Sequence, residues 1–123
     1  MKKALLLGLF LLSLTLGSMA QIASSVVVFS QEGEKFFVIV DGIRQNDAPQ
    51  TNVKVTGLTN PNYMLRVIFE DETLPPINQN VMTRDADNIP NDVTYVIKKN
   101  NKGAYVLRVN SFAPATGNMV AEP

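Results

Sequence analysis

Apolar positions fall into two regimes along this chain. Residues 4–16 form one apolar block, interrupted only by Gly8, Ser13 and Thr15. After residue 21 the apolar residues recur with period two or as short β-branched runs bounded by Gly, Pro and Asn, a pattern that predicts strands rather than helices. The first run spans 25–30 with Val26, Val27, Val28 and Phe29, and Gln31-Glu32-Gly33-Glu34 is a turn in which Gly33 is free to take positive φ. The second, 35–40, sets Phe36, Phe37, Val38 and Ile39 side by side and reads as a strand covered on both faces, ended by Asp41-Gly42. A polar loop follows over 44–50, where Pro49 holds Ala48 extended.

In the third strand Thr51, Val53 and Val55 oppose Asn52, Lys54 and Thr56, and Asn60-Pro61-Asn62 turns the chain. The fourth alternates most cleanly, with Tyr63, Leu65, Val67 and Phe69 on one face, an apolar stripe about 20 Å long. Residues 70–92 are irregular: an acidic triplet Glu70-Asp71-Glu72, then Pro75-Pro76, a short edge strand over 77–82 and a polar loop over 84–92. Val93, Tyr95 and Ile97 then alternate with Thr94, Val96 and Lys98. Asn100-Asn101-Lys102-Gly103 makes a hairpin turn, and Tyr105, Leu107 and Val109 share the face of a last strand. The segment 114–123 is poor in large apolar residues and reads as a flexible C-terminal tail. Six or seven short strands with turns every 8–12 residues predict an all-β fold, an antiparallel immunoglobulin-like β-sandwich over 21–113. The short connections argue against a parallel sheet; a small closed barrel is the alternative architecture.

The amino terminus changes the compartment. Lys2 and Lys3, the apolar block and Ser18-Met19-Ala20 have the parts of a secretory signal peptide over 1–20, a helix cleaved between Ala20 and Gln21. No cysteine stands at that site, so the exported chain is periplasmic or extracellular and not a lipoprotein, with no stable membrane insertion after cleavage. What remains is about 103 residues, with nine basic side chains against eleven acidic, enough for one core. A near-neutral chain has no long-range field to draw nucleic acid.

Absent residues remove whole chemistries. Without Cys there is no disulfide, thiolate nucleophile or iron–sulfur cluster, and without His the Ser-His-Asp and Cys-His arrangements are impossible. Ser24, Ser25 and Ser111 have no lysine at a catalytic spacing. Carboxylate pairs suited to glycoside hydrolysis occur in any acidic chain, and a small sandwich has little room for a substrate cleft. The chain reads as non-enzymatic and calls for no cofactor.

The order Phe37-Val38-Ile39-Val40-Asp41-Gly42-Ile43-Arg44-Gln45-Asn46, then Pro49-Gln50-Thr51-Asn52-Val53, then Tyr63-Met64-Leu65-Arg66-Val67-Ile68-Phe69 resembles the N-terminal β-domain of a group of uncharacterised secreted bacterial proteins. Many of those carry a helical domain of unknown function behind it; the likeness here covers roughly residues 24–113. Asp41-Gly42, residues 49–51 and Tyr63 are also similar to the PEGA domain, a β-module of bacterial surface proteins. That second likeness implies a surface carbohydrate as ligand, and neither implies a catalytic residue.

Two loops carry candidate chemistry. Arg44, Gln45 and Asn46 form a polar loop with no packing role in the pattern, suited to recognition. Asp85, Asp87, Asn88, Asn91 and Asp92 offer oxygens at a spacing that suggests calcium, but Ile89 stands where a ligand is needed and the bend glycine and closing glutamate of an EF-hand are missing. The expectation is an Asx-turn loop that binds no metal. The functional reading is a non-catalytic exported binding module of the cell envelope, its partner a protein in preference to a cell-surface glycan because few aromatics are spare. The alternative is a structural assembly subunit that pairs through sheet edges.

Overall fold

The computed structural model describes residues 22–116. The segment expected to be a signal peptide, with the expected cleavage site between Ala20 and Gln21, and residues 117–123 lie outside the described residues.

Among the described residues the chain forms eight strands and no helix: β1 (Ser24–Ser30), β2 (Phe36–Val40), β3 (Ile43–Arg44), β4 (Asn52–Leu58), β5 (Asn62–Phe69), β6 (Ile77–Met82), β7 (Asn91–Lys99) and β8 (Tyr105–Pro114). They make two four-stranded sheets, ordered β4-β1-β7-β8 and β3-β2-β5-β6. The period-two pattern decides which side of each strand is buried. Val26, Val28, Val53, Val55, Val93, Tyr95, Ile97 and Leu107 of the first sheet join Phe36, Val38, Val40, Leu65, Val67, Phe69 and Val81 of the second in one apolar core. Each such side chain contributes roughly 1.5–3 kcal/mol through its removal from water.

Three features depart from the sequence expectation. The fold is a sandwich, but its first sheet is mixed: β1 runs parallel to β7, with Val26 beside Val93 and Ser30 beside Ile97. Short connections forbid parallel pairing only between consecutive strands, and these two are joined through the whole second sheet. There are eight strands in place of six or seven because Asp41-Gly42 does not merely end β2. With φ of 48° and 84° the pair makes a two-residue turn of the I′ kind, so Ile43 and Arg44 fold back on Val40 and Ile39.

The last departure lies in β8, which reaches Pro114 with a break in its alternation, and Ala115 N–H reaches the Pro90 carbonyl at 2.8 Å. Tyr95 pairs with Val109 but Thr94 with Ser111, so Asn110 is an extra residue, a bulge. Val109 keeps the inward phase of Leu107, yet it is 55% exposed. A second irregularity, between Ser24 and Val26 where β1 meets β4, accompanies the positive φ of Gly57 and returns Leu58 to the buried face.

Candidate functional site

The loop expected to recognise a partner closes a sheet edge. Arg44 belongs to β3 and is exposed, its guanidinium 4.9 Å from the centre of the half-buried Phe37 ring. Gln45 is exposed too; its N–H donates to the Val38 carbonyl at 2.8 Å and its side-chain amide to the Ile43 carbonyl at 3.0 Å. Asn46 is buried. Its Oδ1 accepts the Val38 N–H at 2.9 Å, while its Nδ2 donates to the carbonyls of Phe36 and Ala48 at 3.0 and 2.7 Å. Further on, Phe36 and Gln50 exchange both backbone hydrogen bonds. Residues 43–50 therefore close the free edge of β2, partly with backbone and partly with the Asn46 carboxamide, a common way of protecting an edge strand.

The acidic stretch is also engaged internally. Asp85 Oδ1 accepts the N–H groups of Asp87 and Ile89 at 2.9 and 3.0 Å, an Asx turn, and Asn88 sits at a left-handed φ of 62°. Arg84 lies across the same loop, donating to the Asn88 and Thr59 carbonyls. Asn91 and Asp92 are not in the loop at all but open β7. Asn91 is buried, its N–H bonded to the Thr83 carbonyl at 2.7 Å. Asp92 Oδ1 accepts both the N–H and the hydroxyl of Ser25 at 2.9 Å, fastening β7 to β1. The stretch thus splits into an exposed turn and a strand start that face different partners, and among the described residues no three acidic side chains gather as a metal-holding group. In the acidic triplet, Asp71 accepts from the Thr73 hydroxyl and N–H, and these bonds hold its carboxyl below the usual carboxylate range.

The feature the residue pattern did not single out is the outer edge of β8. It ends its sheet, is ten residues long, and is exposed from Arg108 to Pro114. Val109 and Phe112, 55% and 69% exposed, both lie on the face turned toward the core layer. The other edges differ. The β3 side is closed as described, β6 follows the exposed Pro75-Pro76 and shows Asn78 and Asn80 outward, and β4 presents Asn52, Lys54 and Thr56. At its start β8 is well anchored: Tyr105 packs its ring 5.3 Å from that of Phe69 and its hydroxyl donates to Glu34 at 3.3 Å. Removal from water, then the Glu34 carboxylate, raises the Tyr105 pKa above its usual value.

Set against known proteins, the chain matches no protein-family model, no curated protein and no solved structure.

Proposed function

We propose that this chain is an exported, non-catalytic interaction module of the cell envelope, an immunoglobulin-like sandwich in the broad sense, whose protein partner adds a strand to β8. The observation that carries the reading is the outer edge of that strand, which pairs with no further strand among the described residues. A neighbour there gains main-chain hydrogen bonds along several residues, and Val109 and Phe112 give it apolar contacts on one face. Arg108 is the one charged residue in β8, so little opposes an incoming strand. The signal-like first 20 residues and the lack of Cys and His support the exported, non-catalytic part of the reading. The resemblance to secreted bacterial β-domains points the same way.

A second reading uses the same edge: an assembly subunit whose β8 pairs with β8 of another copy about a two-fold axis. Light scattering of the purified chain separates the two, since self-pairing raises the mass with concentration. The interaction reading itself is tested by capture from an envelope extract. Val109→Lys with Phe112→Lys is expected to lose the captured protein, and Ile43→Lys, on the closed edge, to retain it. Equal capture by both variants overturns the reading.

A further inference from the structure

We propose that the outward face of the β7–β8 hairpin holds a site for phosphoryl oxygens, formed by Lys98, Arg108 and the amide of Asn100. The first ground is charge segregation. Cations and anions balance at eleven each over the chain, yet residues 93–116 contain Lys98, Lys99, Lys102 and Arg108 and no acidic residue.

Register then brings two of these charges together. Val96 lies opposite Arg108 and Lys98 opposite Val106, so Lys98 and Arg108 are diagonal neighbours on one face of the sheet. Diagonal positions lie roughly 7–8 Å apart, within reach of long side chains, so both cations can meet one anion seated between them. Beside them lies an open concavity of about 430 Å³, bounded by these two residues with Lys99, Asn100 and Asn101.

The Glu34 carboxylate lies on the other face. Tyr105, bonded to Glu34, shares the inward phase of Leu107, and the Lys99 ammonium sits 5.4 Å above the Tyr105 ring there. The turn fixes a donor: Asn100 Oδ1 is taken up by the N–H groups of Lys102 and Ala104 at 2.9 and 3.0 Å, and its Nδ2 is the donor end of a carboxamide that lines the concavity. A guanidinium fork grips two oxygens in one plane, and an ammonium and an amide supply donors from other directions. That set suits a tetrahedral phosphoryl group better than a planar carboxylate. The group is either free phosphate or a phospholipid headgroup.

Nuclear magnetic resonance titration of the purified chain with inorganic phosphate, against sodium chloride at equal ionic strength, tests the site. Phosphate is expected to shift the backbone amides of residues 98–108 where chloride does not. Arg108→Gln should weaken binding at least tenfold, and Arg108→Lys several-fold because the fork is lost. Lys98→Gln should also weaken binding while melting no lower than the parent in phosphate-free buffer, which separates ligand loss from unfolding. Co-sedimentation with vesicles of phosphatidylglycerol and phosphatidylcholine, against phosphatidylcholine alone, identifies the source. Capture that Arg108→Gln abolishes assigns a lipid headgroup; phosphate binding without capture assigns the free ion. Equal shifts with chloride, or binding that survives both Arg108→Gln and Lys98→Gln, overturn the proposal.

Discussion

The Asn46 carboxamide stands in for a strand beside Val38: its oxygen accepts the Val38 N–H at 2.9 Å and its nitrogen donates to the carbonyl of Phe36, two residues earlier on the same edge. A backbone neighbour would supply the same acceptor and donor. Asn46→Ala leaves these buried groups without partners and is expected to cost roughly 2–4 kcal/mol. Asn46→Asp keeps the acceptor but sets a carboxylate against two carbonyls, so it should cost at least as much at neutral pH. Urea unfolding midpoints within error of the parent for both variants would show that β2 keeps its edge by other means.

Leu65 and Val109 share the sequence signature of a core position, but only Leu65 is fully buried. Leu65→Ala should destabilise by about 2–4 kcal/mol and Val67→Ala by about 1–3 kcal/mol, through lost burial and a residual cavity. Val109→Ala should fall within about 0.5 kcal/mol of the parent, as exposed sites do. Chemical denaturation of the three variants checks the order, and a Val109 variant as damaged as the Leu65 one would place that side chain inside.

Asp85 spends one carboxylate oxygen on two backbone N–H groups, and Asp92 spends one on Ser25. Calcium requires 6–8 oxygens around one point, and these carboxylates serve separate purposes. Thermal unfolding in millimolar calcium and in chelator is therefore expected to superimpose. Asp92→Ala should lower stability by about 1–3 kcal/mol in both conditions. A calcium-dependent rise in Tm, lost in Asp85→Ala, would make the 84–92 loop a metal site.

Burial raises the pKa of Tyr95 above its ordinary 10.0. The folded chain thus keeps the phenol proton at a pH where the unfolded chain has released it. The resulting stability is fully present below the unfolded value and is lost as pH rises through the folded one. Tyr105, raised for the reasons already given, acts in the same direction. Denaturation midpoints should hold steady to about pH 9 and decline beyond about pH 10. Tyr95→Phe should lessen that decline and leave neutral-pH stability nearly unchanged. An identical alkaline decline in the variant would exclude Tyr95 as a cause.

The stripe Tyr63, Leu65, Val67 and Phe69 was legible in the sequence because alternation is a local property of one strand. So was the hairpin turn at residues 100–103. Asn46 was not: a polar residue replacing a missing backbone neighbour has the same local context as a solvated loop. Asp92 and Ser25 meet across 67 residues, a relation no local pattern encodes. Val109 misled because the inward phase it shares with Leu107 does not tell whether another element covers it, a tertiary matter. The open edge of β8 is likewise defined by what does not lie beside it.

The parallel seam between β1 and β7 also sets an order of events in folding. The first strand among the described residues is an interior strand of its sheet, flanked by β4 and β7, so it finds its second neighbour only after residues 93–97 exist. The β2–β3 and β5–β6 hairpins and the β7–β8 hairpin close over short loops and are expected to form early. The seam must close a loop of more than sixty residues, and such distant pairings slow a chain's search. Until then β4 and the β7–β8 hairpin have no common neighbour. Relocating the chain ends to the 84–92 loop would make β1 follow β7–β8 directly, and it should quicken refolding with little change in the equilibrium.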